Sequence, residues 1–299
     1  MRSGSRHGTN GLMSALKARP YTAKAQPSAR CSQNSRAWLM KSSTRTHDRW
    51  NMNIGIIGTG SIGGTIARQL AAAGHKIRVA NSRGPDSVRS FADEIGATAV
   101  DVNDAVKGAD VIILAVPLPA MAQLPSGLFD ALPADVSIVD TSNYYPDLRD
   151  PRIPEIDSGM PESVWVSRKL GRPVIKAFNN ILAHSLAQLG RPEGAPARLA
   201  VAVAGDNLRS KQIVMALVNE TGFDPVDAGA LEESWRQQPS TPAYCCDYGV
   251  ELMSKGLAAA QKGAASEKRD RLADLFTKLG PNPSHADIIA MNRSLNPLT

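Results

Sequence analysis

From residue 53 onward, short apolar runs alternate with longer stretches in which apolar residues recur every three or four positions. The short runs have the length of buried strands, and the periodic stretches have the spacing of helices. The pattern predicts strands over 53–57, 77–80, 97–100, 110–116 and 136–139, with helices over 61–73, 85–95 and 101–107 between them. The first of these helices carries Ile62, Ile66 and Leu70 at four-residue steps and stops at Gly74. Asp110-Val111-Ile112-Ile113-Leu114-Ala115-Val116 lacks polar alternation, as a strand covered on both faces requires. Strands alternating with helices in this way make an α/β fold, a doubly wound parallel sheet. Residues 140–160 are rich in proline, aromatic and acidic residues and read as a long loop. Val174 to Ala177, Leu199 to Ala204 and Pro225 to Asp227 are further strands that extend or cap the sheet. Two terminal helices are expected over 244–262 and 265–279.

Charge divides the chain more sharply than hydropathy does. A net charge of +6 over 299 residues invites a polyanionic partner. Residues 1–51, however, hold ten of the 34 Lys and Arg and one of the 28 acidic residues, so 24 basic groups face 27 acidic ones in the remainder. Nucleic-acid binding needs a basic face on the fold itself, and none is expected here. The extension over 1–51 has no apolar periodicity and is expected to be disordered. It is either a transit peptide, which makes the protein organellar, or sequence upstream of a start at Met52, which makes it cytoplasmic. No run of about eighteen apolar residues predicts a membrane helix. Cys31, Cys245 and Cys246 form neither a zinc-ligand spacing nor a disulfide framework, so no metal is expected. The domains are therefore 1–51, 52–170 for the first sheet unit, and 171–299 for a C-terminal α/β and helical region on the substrate side.

Candidate chemistry begins at Gly58-Thr59-Gly60-Ser61-Ile62-Gly63. Short glycine patterns are common, but this one follows a strand, opens a helix and lies within one βαβ unit. Gly58 suits a tight turn, Gly60 a close backbone approach to a pyrophosphate, and Gly63 the packing of helix on strand. The fold expected is thus an NAD(P)-binding Rossmann domain. NAD enzymes place an Asp or Glu after the second strand to hold the ribose hydroxyls. Here Asn81-Ser82-Arg83 stands in that place. Asn81 and Ser82 can donate to a 2′-phosphate and Arg83 can pair with it, so NADP(H) is the expected cofactor. Val116 and Pro117 end the fourth strand and are expected beside the ribose and nicotinamide.

Other residues compete for roles on the acceptor side. Asn143 and Tyr144 follow the fifth strand, and Tyr144 is either a stacking surface for a flat acceptor or a loop anchor. Asn179 is either a carboxamide aimed at nicotinamide or substrate, or a helix cap. Lys176 alternates with buried neighbours and is expected to face solvent, contact with the cofactor being the alternative. His184 lacks a carboxylate at helical spacing and is expected to be structural. Trp235 is expected to pack between domains. No catalytic residue is assigned.

Together these segments resemble the family of NADPH-dependent reductases of the deazaflavin coenzyme F-420, the NADP oxidoreductases, coenzyme F-420-dependent. The resemblance rests on the Gly-Thr-Gly of the loop, on Asn81-Ser82-Arg83, on Val174 to Ile181, on Val203-Ala204-Gly205-Asp206 and on Gly222 to Gly229. It covers about residues 52–245. It implies that the backbone of Thr59, Ser61 and Ile62 holds the pyrophosphate, Ser82 and Arg83 the 2′-phosphate, and that Val116 and Ala177 flank the nicotinamide. The implied function is hydride transfer between NADPH and a flat or small acceptor, such as a deazaflavin or flavin. The alternatives are an imine or carbonyl reductase of the pyrroline-carboxylate reductase type, or a non-catalytic NADP(H)-sensing module. A homodimer formed through the C-terminal helices would shelter apolar surface.

Overall fold

A computed structural model describes residues 51–298. The extension over 1–50, including Cys31 and the disorder and transit-peptide expectations, lies outside the described residues.

The first unit is built as the periodicity predicts. Strand β1 (Asn53–Ile57) leads into helix α1 (Ser61–Ala72), then β2 (Lys76–Ala80), α2 (Arg89–Ile95), β3 (Thr98–Ala99), α3 (Val102–Val106), β4 (Val111–Leu114) and β5 (Ser137–Asp140). Helices α4 (Pro154–Asp157) and α5 (Glu162–Leu170) precede β6 (Ile175–Lys176), so the stretch after β5 is less irregular than its prolines suggest. The six strands form one parallel sheet in the order β3-β2-β1-β4-β5-β6. The two-residue repeat of the strands divides the core between the two faces of the sheet. Ile54, Ile56, Val111, Ile113 and Val139 pack on one side with Ile66 and Leu70 of α1. Ile57, Ile112, Leu114 and Ile138 pack on the other with Val106, Val164 and Val166.

The C-terminal region continues with α6 (Ala183–Gln188), β7 (Ala200–Val203), α7 (Leu208–Glu220) and β8 (Asp224–Asp227). Strands β7 and β8 pair only with each other, so they cap the sheet and do not extend it. The two sheets meet at one residue, because Lys176 N–H donates to Ala204 O at 2.8 Å and Ala204 N–H donates to Lys176 O at 3.0 Å. The terminal helices depart from expectation. Helix α8 (Val250–Ala259) starts at Val250, since Cys245 and Asp247 have φ of 51° and 49°, which no helix accepts. The stretch expected as one helix over 265–279 is α9 (Ala264–Asp270) and α10 (Leu272–Leu279). The break lets only the apolar half, with buried Leu272, follow the core. A further helix, α11 (His285–Leu295), is opened by a capping box between Ser284 and Asp287. Among the described residues, no helix is long and apolar enough to cross a membrane.

Lys176, expected at the surface, is wholly buried. Its ammonium donates to Ser142 O at 3.0 Å and lies 3.4 Å from Glu162 and 3.7 Å from Asp140, both also buried. A buried carboxylate without a partner is costly, and here two of them converge on one position that only a cation can fill. Burial pushes the Glu162 carboxyl upward against the pull of Lys176. Replacing the cation strands both acids. We expect Lys176→Met to lower the unfolding free energy by about 3–5 kcal/mol, and a second change, Glu162→Gln, to recover part of that loss in urea denaturation.

Candidate dinucleotide site

Because the six strands are parallel, Ile57, Ala80, Leu114, Asp140 and Lys176 all end on one edge of the sheet. The chain order reverses between β1 and β4, and the crevice at such a reversal is where nucleotides bind in open α/β sheets. The glycine loop lies in this place, and its glycines serve different ends. Gly58 has φ 101°, donates to Ala80 O at 2.8 Å, and a Cβ there would lie 2.3 Å from Ala115 O. A Cβ on Gly63 would lie 2.0 Å from Gly58 O. These two are required by the packing of helix on strand. Gly60 has φ −73° and nothing within 4 Å of a built Cβ. Its lack of a side chain serves no contact within the fold and leaves open space over the helix start.

That helix start is prepared for an anion. No side chain caps α1, and its first turn holds no acidic residue. Gly64 is the first N–H with a helical acceptor, Gly60 O at 2.8 Å. The N–H groups of Thr59, Ser61, Ile62 and Gly63 have no acceptor among the described residues. Exposed donors and an uncompensated positive dipole end fit a pyrophosphate.

The loop after β2 is organised by Asn81. Its side-chain oxygen accepts from Arg83 N–H at 2.9 Å and from Ser87 Oγ at 2.9 Å. Asn81 is therefore a turn-former first, and only its amide NH2 is left for a ligand. Ser82 and Arg83 are exposed, and Arg83 has no carboxylate partner among the described residues. Asp86, the nearest acid, is taken by Arg89 at 2.5 Å. A free guanidinium and hydroxyl at the end of β2 fit a 2′-phosphate. Val116 is half-buried and Pro117 exposed, both at the end of β4 beside Gly58.

The acceptor-side candidates are placed less simply. Tyr144 is fully buried; its hydroxyl accepts from Ile153 N–H at 2.7 Å and donates to Asp157 at 3.2 Å. Its ring is the anchor of the long loop and offers no face to a flat acceptor. Asn179 neither caps a helix nor faces the crevice. Its amide donates to Asn143 Oδ1 at 3.1 Å and to Gln237 O at 2.7 Å, and it accepts from Gln237 at 2.8 Å. Asn143 donates to Asn179 O at 2.9 Å. The three carboxamides join the loop after β5, the turn after β6 and the segment after β8. Gln237 carries no local sequence signal, because its partners are remote in the chain. Ala177 has its methyl in the core, so the turn after β6 can reach a nicotinamide only through its backbone. His184 is exposed, and Trp235 lies under the Arg236 guanidinium at 5.4 Å. Burial pushes the Cys246 thiol up to about 11 and Cys245 well above its ordinary value, so neither is a ready nucleophile.

Sheet order, glycine turn and open helix start define a dinucleotide-binding Rossmann protein. The sequence pattern of the family "NADP oxidoreductase coenzyme F420-dependent" matches residues 53–144, which run from β1 to the loop after β5. The chain is 52% identical over 125 residues to "Putative protein YjhV" of Escherichia coli (strain K12), covering 42% of this chain and 84% of that protein. It is 28% identical over 211 residues to the F420-dependent NADP reductase of Methanothermobacter thermautotrophicus, covering 64% of this chain and 87% of that one. The crystal structure of the hypothetical protein SMa0349 from Sinorhizobium meliloti is similar, with 32% identity and a TM-score of 0.53 over 62% of this chain and 89% of that chain. The chain belongs to this family of NADP-dependent oxidoreductases.

The different duties of the glycines are separable by substitution. Gly60→Val is expected to leave the melting temperature near that of the wild type while weakening NADPH binding about tenfold or more in a fluorescence titration. Gly63→Ala is expected to lower the melting temperature as well, because its methyl meets backbone.

Proposed function

We propose that the protein transfers hydride between NADP(H) and a flat or small acceptor held at the carboxyl edge of the sheet. The observation that carries this reading is the pairing of an uncapped, acid-free helix start at Thr59–Gly63 with an exposed Arg83, without a carboxylate partner among the described residues, at the end of β2. The N–H groups of the first turn hold the pyrophosphate, and Ser82 and Arg83 hold the 2′-phosphate. Val116 and Pro117 bound the nicotinamide from the β4 side. Bound NADPH supplies the hydride. The chain's part is orientation and exclusion of water, for which the carboxamide ladder Asn143–Asn179–Gln237 fixes the far wall.

The acceptor is read as a deazaflavin or flavin. The family's description names coenzyme F420, and the relative from Methanothermobacter thermautotrophicus is an F420-dependent NADP reductase by name. NADPH consumption measured against a deazaflavin, flavins, ferric chelates and cyclic imines tests this. Turnover of the deazaflavin or a flavin is the expected outcome. Activity with the imine alone overturns the acceptor, and tight NADPH binding with no turnover favours a sensor. The cofactor assignment has its own test. Arg83→Asp places a carboxylate where the 2′-phosphate charge would lie, and the ratio of NADPH to NADH affinity is expected to fall about tenfold or more. An unchanged ratio overturns the role of Arg83.

A further inference from the structure

Hydride delivery to a C=N, C=O or deazaflavin acceptor leaves an electron pair on a nitrogen or oxygen that must take a proton. Most candidate donors near the carboxyl edge are spoken for. Lys176 is locked between two acids, Tyr144 and Tyr145 are buried and hydrogen-bonded, and the Cys245 and Cys246 thiols are buried. Two titratable side chains with solvent access stand beside the turn that leaves β6: His184 and His285. Only His285 has an orienting carboxylate. Its Nε2 lies 2.8 Å from Asp247 Oδ2, and the other oxygen of Asp247 accepts from Ser185 Oγ at 2.7 Å.

The arrangement is assembled from three elements and held firmly. His285 is the first residue of α11, fixed by the Ser284–Asp287 capping box. Asp247 belongs to the strap 245–247, whose Cys245 and Asp247 both adopt left-handed backbone that non-glycine residues rarely take. That strap is clamped from both sides. Cys245 N–H donates to Asn180 O at 3.0 Å, while Asn292 and Arg293 of α11 donate to the carbonyls of Cys245, Cys246 and Asp247 at 2.9, 2.9 and 3.1 Å. Ser185 lies in the first turn of α6. Gln69 donates to Leu186 O, and the last turns of α1 and α6 line one depression. Helices α1 and α6 follow β1 and β6, parallel strands of one sheet, so both start from its carboxyl edge.

We propose that His285, oriented by Asp247, gives the proton that the hydride acceptor requires, so that the C-terminal strap and α11 complete the active site. The proposal rests on the hydride-transfer reading above. With Nε2–H donated to Asp247, Nδ1 is the nitrogen that exchanges the proton. In reduction the acceptor carbon gains hydride, and the π pair of its C=N or C=O moves to the heteroatom. That atom takes the Nδ1 proton, and His285 regains one from water. Asp247 stabilises the imidazolium before transfer. The groups facing the ring are Asp247 from the strap, His184 at 4.4 Å between ring centroids and Ser185 from α6; Arg293 and Asp287 lie on its own helix.

The test compares the wild type with His285→Gln, Asp247→Asn and His184→Gln on two acceptors of one shape. A neutral cyclic imine needs a proton, and its N-methylated iminium does not. His285→Gln is expected to lose about a hundredfold or more in kcat with the imine and less than about threefold with the iminium, with NADPH affinity unchanged. Asp247→Asn is expected to fall between the two. If a deazaflavin is the acceptor, His285→Gln is expected to lose about a hundredfold or more in kcat while KM and NADPH affinity change little. A readout without turnover accompanies these. In protein labelled with 15N-histidine, the ring signals absent from His285→Gln are expected to shift when NADP+ is added together with the reduced form of whichever acceptor the wild type turns over. Equal losses on imine and iminium, a loss that follows His184→Gln instead, or unmoved ring signals would overturn the proposal. A wild type that binds NADPH but reduces no acceptor removes the hydride reading itself.

Discussion

The buried ammonium of Lys176 ties the end of the large sheet to its neighbours. Lys176 places its ammonium among Asp140 at the end of β5, Glu162 at the start of α5 and the carbonyl of Ser142. Asp140 also accepts from Ser142 N–H and Ser163 Oγ, so the turn after β5 is tied to the same charge cluster. The backbone of Lys176 meanwhile bridges to Ala204 and joins the large sheet to the small one. Desolvating three charges is expensive, and such clusters rarely add stability over apolar packing. What they impose is geometry. Any displacement of β5, β6 or α5 separates a buried charge from its partner, so the edge that receives the nucleotide has one arrangement.

The glycine loop depends on that edge being in place. Gly58 is small because the carbonyl of Ala115, just after β4, approaches it, and Gly63 because Gly58 O and the Ala115 methyl do, a requirement of the fold and not of a ligand. Gly60 is small where nothing presses on it, and four unfilled N–H groups surround that space. A motif of three glycines thus contains two positions that packing requires and one that it does not, although all three look alike in sequence.

The C-terminal region is held by strained and clamped backbone. Phe178, Cys245 and Asp247 all have positive φ, Phe178 just after β6 and the other two in the strap that bonds to Asn180. Helix α11 pins the strap through side-chain donors, and the strap in turn bonds to Asn180. Strain of this kind persists only where surrounding contacts over-determine it. It accounts for the start of α8 at Val250.

Local periodicity was enough to read the first unit. The strands at 53–57, 77–80, 110–116 and 136–139 and the helix after the glycine turn follow from apolar spacing alone, because neighbours in sequence decide those patterns. The open turn and the missing acid after β2 were equally legible, since each involves residues a few positions apart. The capping box before α11 was also present in Ser284 and Asp287, as a local signal that passed unused. The rest was decided by distance in sequence. Lys176 reads as a surface residue until Glu162 and Asp140 are folded around it, and Asn179 reads as a cap until Gln237 arrives from 58 residues away. His285 reads as a solitary imidazole until Asp247 and Ser185 reach it across 38 and 100 residues. Sequence by itself determined the dinucleotide-binding half, because short-range packing and turn chemistry specify it; only the tertiary structure decided which polar side chains are locks and which remain free to react, because buried partners come from remote parts of the chain.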